Sequence, residues 1–318
     1  MQKTLLTILS EIESVVIGKP HECRLALACL LAKGHLLIED LPGMGKTTLA
    51  QTLAKTLSLS YQRTQFTSDL LPSDVVGISI FNSETKQFEL HKGPIFNQVV
   101  LADEINRASP KTQSALLEAM AESQVSIDGL THVLPEPFFV IATQNPLFHA
   151  GTYPLPESQL DRFMMRISLG FPDINAEKSI LLAKNDESNS PSIRVDIIEG
   201  ETLISMQAAI EKVHASPSII EYIIALCRVS RGQTLVSTEE SIVCKPLSPR
   251  AGKALLAAAR AWAFIDNRDY LLPDDLKAVF HTVCEHRLEL NATEQHASGR
   301  ISERILDAVN PLNPLNTE

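Results

Sequence analysis

Short apolar runs alternate with amphipathic helical patterns over the first half of the chain, from about Val15 to Phe171. Four of these runs have the length and apolar content of buried strands, at residues 36–39, 61–66, 99–102 and 138–143. Strands that alternate with helices are typical of a parallel sheet covered by helices. The pattern therefore predicts an α/β fold for this part of the chain.

Two β-hairpins are predicted to interrupt the alternation. In the first, Asp128 and Gly129 separate two short runs at residues 125–127 and 130–133. Asp-Gly suits a type I′ turn, because both central residues of that turn need positive φ. The second hairpin covers residues 78–90. A bare α/β core needs neither hairpin, and additions at loop positions often carry function.

Helical patterns dominate from residue 172 onwards, and no run there predicts a strand. The helices are expected at residues 176–185, 219–231, 249–265, 273–287 and 301–309. A chain of 318 residues is long enough for about two domains of roughly 150 residues each. We therefore predict an α/β domain at residues 1–171 and an all-helical domain at residues 172–318.

Charge and composition narrow the class of protein. The formal net charge of −10 argues against a generally basic nucleic-acid binder, although it leaves room for a local basic patch. The first residues form an amphipathic pattern rather than a signal peptide, and the apolar zone at 23–38 is too interrupted for a membrane span. The 5 cysteines are odd in number and have no CxxC spacing. They predict reduced core cysteines in a cytoplasmic protein.

The predicted strand at 36–39 leads into a turn rich in glycine and proline, which is followed by a helical pattern. The backbone N–H groups of such a loop and of the helix N-terminus bind the phosphates of a nucleotide. Lys46 would reach the β- and γ-phosphates, and the Thr47 hydroxyl would be a ligand of Mg²⁺. The loop residues are Pro42, Gly43, Met44, Gly45, Lys46, Thr47 and Thr48.

Asp40 departs from the strict phosphate-loop pattern, which has glycine at this position. A carboxylate close to phosphates would repel them unless it points away. Gly43 and Gly45 remain where the backbone must approach the phosphate, and position 40 is the loop residue nearest the strand. We therefore expect Asp40 to alter the entrance of the loop without abolishing nucleotide binding.

Two acids, Asp103 and Glu104, directly follow the predicted strand at 99–102. Ligands bind at the carboxyl ends of strands in a doubly wound sheet, where the phosphate loop also lies. Asp103 would hold the hydration shell of Mg²⁺, and Glu104 would activate the attacking water. The acids could instead cap the next segment, but the Gly-Lys-Thr sequence upstream favours the functional interpretation.

Three further polar residues are candidates for catalysis. Asn145 follows the strand at 138–143 and could bond the lytic water or the γ-phosphate, or it could simply form a turn. Arg162 could stabilise charge on a phosphoryl group, or form a surface ion pair with Asp161. Arg250 lies in the first turn of a helix, where a cation opposes the helix dipole. That placement suggests an anion contact, although its stem could simply pack.

Together these motifs resemble those of the AAA+ ATPases and, within them, the MoxR family. The resemblance covers most of the chain, from about Val16 to the last helices. It rests on residues 39–47 (EDLPGMGKT), 103–108 (DEINRA), 113–120 (QSALLEAM), 142–146 (ATQNP) and 160–163 (LDRF). The combination is specific to the family, whereas any one stretch alone is not.

The resemblance implies an AAA+ αβα core with a parallel sheet and two β-hairpin insertions, followed by an all-helical lid domain. It also implies binding of ATP and Mg²⁺. The matched positions are Val16, Ile17 and Gly18 in the adenine turn, Lys46 and Thr47 in Walker A, Asp103 and Glu104 in Walker B, Asn145 as sensor 1, Arg162 as the arginine finger, and Arg250 as sensor 2.

Proteins of this kind form rings, usually hexamers, with nucleotide between subunits. Arg162 would then reach the γ-phosphate in a neighbouring subunit, and Arg107 is a second candidate that we rank below it. The resemblance implies an ATP-hydrolysing, chaperone-like motor that remodels or activates a protein complex. A protein with a von Willebrand factor A domain is its expected partner.

Three alternatives remain at this point. ATP could act as a switch for assembly, with slow or no hydrolysis, or the chain could be a metal-chelatase-type motor. A DNA-acting AAA+ motor is the third. The hairpin at 125–133 has no Lys or Arg, and in the other hairpin Lys86 and Lys92 are offset by Glu84 and Glu89. These charges argue against nucleic acid as a partner.

Overall fold

A five-stranded parallel sheet forms the centre of the computed structural model, which describes residues 2–145, 152–182, 200–233, 242, 244–288 and 300–315. Its strands are β1 (Leu36–Glu39), β2 (Tyr61–Gln65), β5 (Val99–Asp103), β8 (Phe139–Gln144) and β9 (Met165–Ile167). They lie side by side in the order β2-β5-β8-β1-β9. The four predicted strands are confirmed to within a residue at each end, whereas β9 was not predicted.

The two predicted hairpins are also confirmed. One pairs β3 (Gly77–Asn82) with β4 (Gln87–Lys92), and the other pairs β6 (Gln124–Ile127) with β7 (Leu130–Val133). Asp128 has φ +51° and Gly129 has φ +81°, as a type I′ turn requires. Both hairpins are separate two-stranded sheets outside the parallel one.

Helices cover both faces of the parallel sheet. Those of the α/β part are α1 (Gln2–Val15), α2 (Pro20–Leu31), α3 (Lys46–Thr56), α4 (Pro72–Val76), α5 (Pro110–Glu122) and α6 (Glu157–Leu160). Alternate strand residues face opposite sides. Leu36, Leu101 and Ile141 belong to one buried cluster, with α1 to α3, and Leu37, Val100 and Val140 belong to the other, with α5.

After Pro172, the regular elements of the described residues are helices, and one isolated β-bridge joins His214 to Tyr270. The helices are α7 (Ile174–Leu182), α8 (Gly200–Glu211), α9 (Pro217–Ser230), α10 (Pro249–Ile265), α11 (Pro273–Leu288) and α12 (Ile301–Asp307). Five of these helices were predicted, and α8 was not. The predicted end of the first helix, beyond Leu182, lies outside the described residues.

The start of α10 shows how the sequence fixes a helix end. Ser248 is the N-cap residue, and its Oγ accepts a hydrogen bond from the backbone N–H of Ala251 at 3.2 Å. Pro249 occupies the first helical position, where it has no bonding N–H to lose. Among the described residues, no helix has the length and apolar character needed to cross a membrane. All 5 cysteines are free thiols.

Candidate nucleotide-binding site

The loop between β1 and α3 has an open backbone surface. Gly43 and Gly45 have φ values of +86° and +82°, a conformation that favours glycine. A Cβ added to either residue would meet no atom within 4 Å, so the space beside both is open. No side chain caps α3, whose N-cap residue is Gly45. Its first N–H groups are therefore suited to an anion.

The Lys46 side chain is only 7% exposed and lies beneath this loop. Its Nζ donates hydrogen bonds to the backbone oxygen of Asp40 at 2.8 Å and to Oδ1 of Asn145 at 3.4 Å. Burial lowers the pKa of the Lys46 ammonium, and the carboxylates of Asp103, Asp40 and Glu104 oppose that shift. A phosphate in the loop would add a further anion beside this ammonium.

The Asp40 carboxylate points away from the loop. Its Oδ2 accepts hydrogen bonds from the backbone N–H groups of Leu169 at 2.5 Å and Gly170 at 2.8 Å, and from the Ser168 hydroxyl at 3.2 Å. The side chain therefore joins the start of the loop to the segment after β9. These three donors explain why a carboxylate can stand where the strict phosphate-loop pattern has glycine.

Asp103 ends β5 beside the phosphate loop. Its Oδ1 accepts a hydrogen bond from the Thr143 hydroxyl at 2.6 Å. Its Oδ2 accepts one from the Arg63 Nη2 at 2.6 Å and a second from Nε at 3.1 Å. The carboxylate is thus fixed on one side by β8 and on the other by a cation of β2.

Glu104 adopts a left-handed backbone conformation, with φ +55° and ψ +49°, directly after β5. Such a conformation is uncommon outside glycine and occurs often at functional sites. Oε1 accepts a hydrogen bond from Asn145 Nδ2 at 2.9 Å, and Oε2 accepts one from Gln65 Nε2 at 2.9 Å. Oε2 also forms an ion pair with Arg107, whose Nε lies 3.1 Å away. The side chain makes no cap to the next turn, which argues against the capping alternative.

Asn145 connects the lysine and the glutamate, since its two amide atoms bond Lys46 and Glu104. It is 2% exposed, and its backbone oxygen accepts a hydrogen bond from Asn106 Nδ2 at 3.1 Å. A residue that merely formed a turn would need neither side-chain bond. Pro146, the other part of that alternative, lies outside the described residues.

These groups surround a cavity of about 410 Å³. Its lining residues are Pro42, Gly43, Gly45, Lys46, Thr47, Thr48, Arg63, Gln65, Asp103 and Glu104. The donor set fits a magnesium–nucleotide complex, because Mg²⁺ takes one or two protein oxygens and completes its octahedron with phosphate oxygens and water. Thr47 and Asp103 would supply those two oxygens, and the N–H groups of the loop would bind phosphate.

The expected adenine turn lies beside this region without lining the phosphate cavity. Gly18 has φ +76°, and a Cβ there would come within 2.5 Å of the Ala176 Cβ. Lys19 Nζ donates to the backbone oxygen of Phe171 at 2.8 Å. Gly18 and Lys19 thus lie against the chain that follows β9, whose residues 168–170 also hold Asp40. Met44 lies within the loop but is not among the residues lining the phosphate cavity.

Arg162 and Arg250 lie elsewhere, in a second cavity of about 400 Å³. Arg162 precedes β9 near the amino end of the sheet, where the Met164 N–H bonds the His35 oxygen at 2.9 Å. The phosphate loop follows the opposite, carboxyl end of β1. The four residues of β1 separate the two ends by about 13 Å, at roughly 3.3 Å per residue. Arg162 Nη1 donates to the backbone oxygen of Leu117, and Arg250 Nη1 bonds the Asp161 carboxylate at 3.2 Å.

Comparison with known proteins places this geometry in a family. Residues 35–165 match the model described as ATPase family associated with various cellular activities (AAA), and residues 240–308 match the AAA lid domain. The chain is 37% identical over 289 residues to Chaperone MoxR1 of Mycobacterium tuberculosis, an alignment that covers 90% of this chain and 76% of that protein. The chain belongs to the MoxR family of AAA+ ATPases.

Other relatives agree with this membership. The MoxR-family chain is 46% identical over 280 residues to the Bacillus subtilis protein YeaC, over 88% of this chain and 85% of that one. A crystal structure of a candidate ATPase from Cytophaga hutchinsonii superposes with a TM-score of 0.86 at 39% identity, covering 97% of this chain and 95% of that one. The α/β core followed by a helical lid is thus the AAA+ architecture that the sequence predicted.

Several residues of the MoxR-family site were not predicted. Arg63 and Gln65 reach it because β2 pairs with β5 in a register that sets Gln65 opposite Asp103. Thr143 reaches it from β8. In the sequence, these three residues are marked only by being polar and near the carboxyl end of a strand. That feature indicates a site residue only when the order of the strands in the sheet is known.

Proposed function

We propose that this protein hydrolyses ATP in the cavity at the phosphate loop and uses the energy to remodel or activate another protein or complex. The observation that carries the proposal is the placement of the Glu104 carboxylate beside Lys46. Hydrogen bonds from Gln65 and Asn145 and an ion pair with Arg107 hold it there. The name of the relative Chaperone MoxR1 supports the remodelling part.

The chain's own groups have distinct tasks in this proposal. The loop N–H groups and Lys46 bind and orient the phosphates, as preorganised donors facing developing negative charge. Thr47 and Asp103 would hold Mg²⁺, which would neutralise charge on the phosphates when bound. Glu104 accepts a proton from the attacking water at its carboxylate, while Asn145 orients that carboxylate through the bond to Oε1.

A second copy of the chain completes the site in this proposal. Arg162 and Arg250 lie at the opposite end of the strands from their own phosphate loop, so they would serve the nucleotide of a neighbour. Arg107 instead forms an ion pair with Glu104 of its own chain, with 3.1 Å between Nε and Oε2, which favours Arg162 as the residue acting in trans. A closed ring gives every site the same neighbour, and we propose a hexamer.

The wider setting is part of the same proposal. A cytoplasmic location and a partner with a von Willebrand factor A domain follow from the family resemblance. The acidic net charge of −10 and the absence of Lys and Arg in β6 and β7 favour protein over nucleic acid as the target.

Mixing two variants tests hydrolysis and the shared site together. Lys46→Ala removes the phosphate contact, and Arg162→Ala removes the group acting in trans, so each protein alone should lose nearly all turnover. A 1:1 mixture should recover up to about one quarter of the wild-type rate, since about one in four random interfaces joins an intact loop to an intact arginine. Failure of the mixture to recover would contradict the shared site. Assembly driven by ATP without hydrolysis, even in the wild type, would favour the switch alternative.

A further inference from the structure

Arg287, in the last turn of α11, has a buried side chain directed at the segment that carries Arg162. It is 6% exposed. Its Nε donates to Asp161 Oδ1 at 2.7 Å, and its Nη2 donates to the backbone oxygens of Phe163 at 2.8 Å and Asp161 at 3.2 Å. Nη1 donates to the oxygen of Met164 at 3.2 Å and to that of Val283 in its own helix.

The segment held in this way has no regular structure of its own. It lies between α6, which ends at Leu160, and β9, which begins at Met165. The carbonyl groups of such a stretch need partners from elsewhere when they are buried. Arg287 provides partners for three of them, and the His286 imidazole contacts the Phe163 oxygen at 3.3 Å as well. The lid helix therefore fixes the backbone on both sides of Arg162.

Asp161 extends the connection to a second lid helix. While Oδ1 accepts from Arg287, Oδ2 accepts from Arg250 in the first turn of α10 at 3.2 Å. The Arg250 side chain is 65% exposed, and it lines the same cavity as Arg162. One carboxylate, next to Arg162 in the chain, thus bonds arginines from two lid helices, Arg287 of α11 and Arg250 of α10.

We infer that Arg287 is a positioning residue for Arg162, and that it fixes the arginine finger to the lid so that finger and lid move as one body. The inference rests on the proposed function, because it assumes that Arg162 acts on a neighbour's nucleotide. Arg287 itself touches no nucleotide in this scheme. A planar guanidinium is needed, because only a fork of donors reaches Asp161 and three backbone oxygens together.

The test uses Arg287→Lys, which keeps the charge and removes the fork. Arg231→Lys is the matched control, because Arg231 is a lid arginine that forks onto a different backbone oxygen, that of Leu247, at 3.0 and 3.2 Å. Binding of a fluorescent ATP analogue should stay within about twofold of wild type in both variants, since neither change touches the phosphate loop. Turnover should fall at least tenfold in Arg287→Lys and stay near wild type in Arg231→Lys.

Mixing separates positioning from a general structural role. Mixed 1:1 with Lys46→Ala, whose finger is intact, Arg287→Lys should regain up to about one quarter of wild-type turnover. Mixed with Arg162→Ala, it should regain nothing, since both subunits lack a working finger. If Arg287→Lys does not fold, Asp161→Asn should give the same pair of results.

Three results would overturn the inference. The first is recovery of turnover when Arg287→Lys is mixed with Arg162→Ala. The second is no recovery of turnover when Arg287→Lys is mixed with Lys46→Ala, although the reference mixture of Lys46→Ala and Arg162→Ala does recover. Either would leave the proposed function intact and refute only the positioning role. The third is failure of the reference mixture itself, which would refute the shared site and this inference with it.

Discussion

Replacing Asp40 by glycine restores the strict phosphate-loop pattern, and the structure predicts that this change harms the protein. If Asp40 repelled phosphates, Asp40→Gly would tighten nucleotide binding. Instead, its carboxylate accepts hydrogen bonds from the backbone N–H groups of Leu41, Leu169 and Gly170 and from the Ser168 hydroxyl. Removing it leaves these donors without their acceptor.

The size of the effect follows from those bonds. A hydrogen bond to a charged group contributes about 1.5–3 kcal/mol, and the Leu169 side of the segment is buried where water cannot replace the acceptor. Most of the lost free energy should come from the hydrogen bond of Leu169 and a smaller part from that of Gly170. We therefore expect Asp40→Gly to lower the free energy of unfolding by about 3 kcal/mol. For an α/β part of this size, that lowers Tm by roughly 6–12 °C.

The assay is thermal unfolding followed by circular dichroism, together with titration of a fluorescent ATP analogue. Asp40→Asn keeps one acceptor oxygen and should fall between wild type and Asp40→Gly. Asp128→Gly is a matched control at an exposed turn with positive φ, where glycine is tolerated, and its Tm should change by no more than a few degrees. An unchanged Tm with tighter nucleotide binding in Asp40→Gly would refute the reasoning.

Two other predictions concern the pH and the Mg²⁺ dependence. Burial lowers the pKa of the His35 imidazole from 6.5 to about 4. As the pH falls below 6.5, this histidine therefore binds a proton in the unfolded chain but stays neutral in the folded one. The free energy of unfolding should consequently fall by up to about 3 kcal/mol between pH 6.5 and pH 4. His35→Asn should flatten this part of the pH profile in urea unfolding, and an unchanged slope would contradict it. Arg63→Ala removes the cation that bonds the Asp103 carboxylate, so the Mg²⁺ concentration that half-saturates nucleotide binding should drop several-fold. In Arg63→Lys this concentration should stay nearer to the wild-type value. An unchanged Mg²⁺ titration in Arg63→Ala would contradict this prediction.

Local sequence patterns predicted most elements of the fold, because apolar periodicity and cap residues act over a few positions. β1 and α10 have the bounds that the sequence predicted. β9 was missed because it has three residues, and its central Arg166 breaks the apolar run. The order of the strands depends on contacts between distant segments, and no local pattern carries it.

The candidate site likewise contains residues that local sequence patterns predicted and others that they did not. The sequence singled out Lys46, Asp103, Glu104 and Asn145 because each stands at a strand end or in the loop, and the structure brings these four together. It did not single out Arg287, which reads as an ordinary basic residue near a helix C-terminus. Its contacts to residues 161–164 cross more than 120 positions of the chain.

Phosphate release by Glu104→Gln, beside the wild type and in the presence of Mg²⁺, tests the central claim most directly. The change keeps the size of the side chain and removes the proton acceptor. The account predicts that Glu104→Gln binds ATP about as tightly as the wild type and releases phosphate at least about 100-fold more slowly. Equal rates of phosphate release in the two proteins would contradict it.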